Sequence, residues 1–402
     1  MAGNTGFTGF TGFTGFTGFT GFTGFSGGGG GALPAVSPLL ADAMTRSREG
    51  HLGRATRTTQ SGSKEQFTPG FIRHWGSTTD LPQPGPKWLS RMGSAVRVQV
   101  YVTDLMADIR VGKLNEAKAI DVVVDFKGST SRFSLTRPPV DVFKEQAHRV
   151  ESWAALRAER APEILAQIGP QFPFWSSVLH LNPEIVPYTN ELLMVALEFA
   201  TIVVQKVKYE SVVPRPSDFS ARVQPMIENP GFFAWPSGHA TQAFAVAELL
   251  SILTMPRDGL GGGFTHPWEE AREQLFRQAE RIATNRVVAG LHFPVDSEAG
   301  CELGVWLAQM LVCACTGGNV RSFKGNNGYV FDPAMGKDHD FNPAHHVNRQ
   351  SCHQAGFKAA AAGLAAKVQS GLPKSALGWL WDMACAEWFN AGVTPSANLT
   401  KL

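Results

Sequence analysis

Three short stretches of the 402-residue chain carry residue types suited to holding a highly charged oxyanion. "KVKYESVVPRP" places six residues between Lys208 and Arg215. "PSGHAT" sets Ser237, Gly238 and His239 at the start of an apolar run. "NRVVAGLHFPVD" places five residues between Arg286 and His292, and three between His292 and Asp296. Gly238 has no side chain, so its backbone N–H can approach an oxyanion closely. Ser237 adds a hydroxyl donor, and a helix start adds partial positive charge. Lys208, Arg215 and Arg286 supply charge-assisted donors. The sum is a cage for a tetrahedral or trigonal-bipyramidal oxyanion. One histidine can bond the central atom while the other moves a proton on the opposite face. Asp296 can take the second ring N–H of His292 and fix its tautomer.

Such a cage needs elements that bring the three pieces together. Lys208 falls near the end of a helix expected over 190–209, and Pro214 and Pro216 force an extended strap after it. Ser237 is an ordinary N-cap for a helix over 238–254. Arg286 closes a helix over 267–288 that Gly290 breaks, and His292 lies in the elbow beyond. Pro294 suits the first turn of a helix over 294–315. Further helical spacing runs from Pro139, broken at Pro162 and ended by Gly169, and again over 354–369 and 374–390. No βαβ unit is visible after Pro139, so the fold class is mainly α, a helical bundle. Before it, "AVRVQVYV" from Ala95, "IDVVVDF" from Ile120 and "SRFSLTRP" after the Lys127-Gly128-Ser129 turn predict a small β-hairpin or sheet near 95–136.

From Lys208 to Asp296 the pieces resemble the motif set of the superfamily containing type 2 phosphatidic-acid phosphatases, bacterial acid phosphatases and vanadium-dependent haloperoxidases. The resemblance implies a bundle of the acid phosphatase / vanadium haloperoxidase type. It implies that His292 bonds vanadium axially, or attacks phosphorus in a phosphatase. Lys208, Arg215, Ser237, Gly238 and Arg286 would hold the equatorial oxygens of vanadate or phosphate. His239 would be the acid–base residue at the apical oxygen, with Asp296 orienting His292. The first expectation is a vanadate-dependent haloperoxidase, using hydrogen peroxide, a halide and an organic acceptor. "AWPSGHAT" and "LHFPVDSEAG" are similar to soluble bacterial members of that group. The second is a soluble phosphatase acting on phosphate monoesters through phosphohistidine. Three positions depart from the family. Asn285 stands where the phosphatases usually have Ser. Gln205 stands where chloroperoxidase-like members tend to have Trp, and Phe232 where bromoperoxidase-like members often have a second His.

Composition sets the remaining bounds. A formal net charge of +2 provides no bulk field for nucleic acid. Cys301, Cys313, Cys315, Cys352 and Cys385 are odd in number and lack zinc spacing, so buried thiols are expected. The start Met1-Ala2-Gly3-Asn4 has neither a positive nor an apolar leader region. The apolar stretch from Val305 is short for a bilayer crossing, so no membrane span and a cytoplasmic location are expected. Residues 5–25 are seven copies of Thr-Gly-Phe, and Ser26 and five glycines follow. Residues 1–31 therefore read as a disordered tail. Residues 32–94 read as an irregular arm of the kind that wraps a partner in a homo-oligomer, and 95–402 as the catalytic domain. "KDHDFNPAHHVNRQSCH" reads as a solvated loop near the pocket mouth rather than a metal site. Trp379, Trp381 and Trp388 read as core or subunit contact.

Overall fold

The computed structural model describes residues 85–116, 119–126, 132–169, 171–254, 267–316, 328–346 and 375–389, and the isolated Arg46. A 3-10 turn, Pro86–Arg91, leads into α1, Ser94–Ala107. Strands β1 (Ile109–Glu116), β2 (Ala119–Phe126) and β3 (Arg132–Thr136) follow. Then come α2 (Val140–Trp153), a 3-10 turn at Ala154–Leu156, α3 (Arg157–Ala166) and α4 (Phe172–Ser176). The long helices are α5 (Pro187–Ser211), α7 (Gly238–Leu253), α8 (Pro267–Val288) and α9 (Pro294–Thr316), with the short α6 (Pro216–Phe219) between the first two. Strand β4 (Gly328–Tyr329), α10 (Pro343–His346) and α11 (Ala376–Phe389) complete the described chain.

The architecture is mainly helical with one small sheet of order β1-β2-β3-β4. β1, β2 and β3 pair antiparallel, and β4 joins β3 in parallel, with Leu135 opposite Tyr329. α7 is the central helix: every residue from His239 to Leu253 is buried, and it packs against α5, α8 and α9. That burial explains why it is apolar all round rather than striped. α9 lies closest to it. A Cβ built on Gly300 would sit 2.8 Å from the Ser237 carbonyl oxygen, and one on Gly304 would collide with the Thr241 carbonyl. Side chains at these two positions would push the helices apart.

Helix α9 is long and apolar enough to cross a membrane by length and composition, but 89% of its apolar window is buried inside the protein. A core helix meets the same criteria. α11 buries Trp379 and Trp381, and Trp388 donates its indole N–H to Thr189 Oγ1 on α5. Cys301, Cys313, Cys315 and Cys385 are buried, and burial pushes the Cys313 thiol up to about 12. Cys352, the Thr-Gly-Phe repeat, most of the 32–94 arm and the helix expected over 354–369 lie outside the described residues.

Three expectations are corrected. The stretch from Ala95 is helix, not strand. Its alternating valines suggested a strand, yet Val98, Tyr101, Val102 and Leu105 are the buried positions and Val96 is exposed, a spacing of one helix face. Packing of that face on α5 overrides the β propensity of valine, and the sheet starts at Ile109. Pro162 does not break its helix. It lies inside α3, the sixth of its ten residues, and the helix runs on through it to Ala166; the interruption falls at Ala154–Leu156. The third is corrected only in part: the loop around Asp338–Asp340 is solvent-exposed at both aspartates, as expected, but it is tied to the bundle. His339 hydrogen-bonds the buried Glu298 on α9, and Trp153 on α2 donates to Asp340 at 2.7 Å. Among the described residues no cluster of His, Cys, Asp and Glu is arranged to hold a metal ion; His353 lies outside them.

Candidate oxyanion site

Lys208 sits in the last turn of α5 and is buried. Its ammonium donates to the carbonyls of Phe233 (2.8 Å) and Ala234 (2.6 Å). The helix stops because Val212 takes the left-handed conformation, φ 52°, while its N–H still reaches Lys208 O. The chain then extends to Arg215, which precedes Pro216 at the start of α6. Arg215 turns its guanidinium inward. Nε and Nη2 donate to Phe232 O at 3.1 and 3.0 Å, Nη1 donates to Leu291 O at 2.9 Å, and Nη1 lies 3.1 Å from His292 Nε2. Lys208 and Arg215 thus converge on one segment, 232–234. The Phe232 ring lies 5.3 Å from the ammonium and 5.1 Å from the guanidinium carbon, within cation–π range.

The start of α7 forms another wall. Ser237 is its N-cap, accepting from Ala240 N at 3.4 Å and donating its own N–H to Asp296 O at 2.8 Å. A Cβ on Gly238 would touch only Val204 Cγ1, at 3.9 Å. Packing therefore does not demand a glycine here; the bare backbone leaves the first-turn N–H groups approachable. His239 is buried, and its Nε2 lies 3.2 Å from the Gln167 carbonyl.

Arg286 closes α8 and is fully buried. Nη2 donates to Ile164 O and Gln167 Oε1, both at 3.0 Å, while Nε and Nη1 are buried without a partner. Gly290, φ 84°, makes the left-handed turn that brings His292 back toward the cations. His292 Nδ1 meets Asp296 Oδ2 at 2.8 Å, and the same oxygen accepts Phe293 N–H at 3.0 Å. A carboxylate on Nδ1 makes that nitrogen the N–H, so the lone pair is on Nε2, the atom beside Arg215.

Burial sets the electrostatics. It pushes Lys208 well below the usual lysine range, with the neighbouring Arg215 charge adding to the shift. It lowers Arg215 and Arg286 each to about 10. His239 is pushed down to about 3, first by burial and then by Arg286. His292 falls well below its ordinary value through burial and the Arg215 and Lys208 charges. Burial raises Asp296 against the pull of the Phe293 N–H and those two cations. Both histidines are therefore neutral near pH 7, in a pocket where three basic side chains meet one buried carboxyl.

The structure joins Arg215, His292, Asp296 and Ser237 in one chain of hydrogen bonds, sets Lys208 beside Arg215 on segment 232–234, and links His239 to Arg286 through Gln167. It adds two features the residue pattern did not reveal. One is a row of main-chain carbonyls at Phe232, Phe233, Ala234 and Leu291 that aim Lys208 and Arg215. The other is Gln167, whose only sequence signal is its place at a helix end just before Gly169. Asn285 donates to Gln167 Oε1 at 3.1 Å and so lies behind the cage.

The fold and site define a mainly α-helical protein with a buried cluster of three basic side chains and two histidines between helix ends. No protein-family model matches the chain, and no curated protein matches it.

Proposed function

We propose that the chain is a vanadate-dependent haloperoxidase whose pocket holds vanadate on His292. The observation that carries this reading is the donor set. Arg286 Nε and Nη1 are buried without partners, the Cβ position of Gly238 meets only Val204 Cγ1 at 3.9 Å, and His292 keeps its lone pair on Nε2 beside Arg215. Burying cations with so few carboxylates is costly unless an anion completes the site. An oxyanion of high charge fits these donors.

Lys208, Arg215 and Arg286, with Ser237 and the N–H of Gly238, would hold the oxygens of bound vanadate. His292 Nε2, left with its lone pair by the Asp296 contact at Nδ1, would be the nitrogen that bonds it. When bound, vanadate supplies a centre that activates hydrogen peroxide toward halide. The chain's own part is proton handling and exclusion of water. His239, neutral at pH 7, takes the proton that peroxide must lose on entering the site. The hypohalous product then reacts with an organic acceptor outside the cage. Phosphate has the same shape, so phosphomonoester hydrolysis through His292 is the competing chemistry. Without an anion His239 is neutral at pH 7 and lacks the proton that a leaving group needs; the same low value makes it a weak base until the charge of a bound anion raises it.

The test uses purified protein with orthovanadate, hydrogen peroxide and chloride, bromide or iodide, beside phosphomonoester hydrolysis without vanadate. Vanadate-dependent halide oxidation is expected. Strong ester hydrolysis that vanadate merely inhibits would replace this reading with the phosphatase. Neither activity would overturn both.

A further inference from the structure

Arg286 and His239 reach the pocket from different helices, yet both lean on the same residue. Gln167 follows the last turn of α3 and is fully buried. The final carbonyls of a helix lack intrahelical donors and carry its negative end. Here two of them find the site: Ile164 O takes Arg286 Nη2, and Gln167 O takes His239 Nε2. A carbonyl oxygen only accepts, so His239 Nε2 must be the N–H and Nδ1 must carry the lone pair. The Gln167 side chain is equally committed. Its Oε1 accepts from Arg286 Nη2 and Asn285 Nδ2, and its Nε2 donates to Glu163 Oε1 at 3.0 Å.

We propose that Gln167 is the positioning residue of the oxyanion site: its carbonyl fixes the tautomer of His239, and its neutral amide aims Arg286 without neutralising it. This rests on the oxyanion-site reading above. A carboxylate in the same place would satisfy the guanidinium internally and compete with a bound anion. The amide accepts one N–H through a dipole and leaves the full charge directed at the pocket. Glu163, which could otherwise reach toward Arg286, is engaged by Arg281 at 2.9 Å and by the Gln167 amide.

The experiment measures orthovanadate and inorganic phosphate binding by calorimetry to the full chain, wild type, Gln167→Met and Gln167→Glu, with thermal unfolding as the check on fold. Gln167→Met removes the aim and should weaken binding about tenfold, as loss of a supporting partner commonly does. Gln167→Glu should bind more weakly than Gln167→Met at alkaline pH. Relative to wild type at each pH, it should recover as the new carboxyl protonates, a dependence that a purely structural role would not produce. Nitrogen-15 NMR of histidine-labelled protein, assigned with His239→Gln, should show an unprotonated Nδ1 at His239. Wild-type affinity in Gln167→Met would overturn the proposal even if Gln167→Glu failed to fold; an Nδ1–H tautomer would also overturn it. Absence of oxyanion binding in the wild type would instead sink the reading of the site itself, and this proposal with it.

Discussion

Two arginines of this protein, Arg97 partly buried and Arg286 fully buried, meet different fates. Arg97 on α1 is closed. Nε donates to Glu191 Oε1 at 2.7 Å, Nη2 meets the second Glu191 oxygen, and Nη1 takes the Met92 carbonyl at 2.5 Å. The rings of Tyr188 and Trp379 lie 5.9 and 5.8 Å from its guanidinium carbon. Burial lowers its pKa, but Glu191 outweighs that and leaves it raised. Arg286 has two neutral acceptors, two unpartnered nitrogens and a lowered pKa. The same contrast holds for helix starts. At α5 the Glu387 carboxylate accepts the N–H groups of Tyr188 and Thr189 at 2.7 and 2.8 Å. At α7 the hydroxyl of Ser237 is the side-chain cap. Where the fold supplies its own anion, the group holds the structure together. Where it supplies none, as at Arg286, donors are left without partners.

The sharpest way to break this contrast is at the histidines. His292→Ala should abolish vanadate binding and halide oxidation together. His239→Ala should keep vanadate but lower turnover by about 10²–10⁴-fold, the usual worth of positioned proton transfer. Steady-state rates alongside vanadate affinity separate the two; equal loss of binding in both variants would remove the division of roles.

Stability comes next. Glu191→Gln takes the carboxylate from a partly buried guanidinium that keeps its main-chain acceptors, and should cost about 1–3 kcal/mol in urea unfolding. Arg286→Met removes a charge that has no carboxylate partner, so the same measurement should change by no more than about 1 kcal/mol while oxyanion binding is lost. A large destabilisation by Arg286→Met would place it in the structural class with Arg97.

A smaller effect lies in pH. His239 titrates at about 3 in the fold against an ordinary 6.5. Its folded value is depressed and it is a base, so the unfolded chain binds the extra proton. Stability is full above 6.5 and is lost as pH falls from there toward 3. The slope owed to this one group is about 1.4 kcal/mol per pH unit. His239→Gln should flatten the acid limb of ligand-free stability by that amount, and an unchanged slope would mean the imidazole is already solvated. The smallest effect is expected from deleting residues 5–31, which lie outside every site contact described. Fold by circular dichroism and halide oxidation should both survive.

Much of this site was legible because its charged residues stand at element ends marked by strong punctuation. Pro214 and Pro216 bracket Arg215, Gly290 precedes His292, Pro294 opens α9, and each does locally what its chemistry requires. The helix limits over 238–254 and 267–288 followed from the same signals. Valine alternation from Ala95 misled, because period two and period 3.6 coincide over a few residues and only packing on α5 decides between them. Gln167 was illegible for another reason. Its role depends on α3 ending against α7 and α8, and a glutamine near a helix end has no local preference that announces such a contact.

The aim of Lys208 and Arg215 is set by the oxygens of Phe232, Phe233, Ala234 and Leu291, all of them main-chain atoms. Those atoms do not change when the residues do. Mutation can therefore replace the Phe232 ring that lies against both cations while their main-chain acceptors stay in place. The division lets side chains of that segment drift under selection in a lineage without each step first disturbing how the two cations are held.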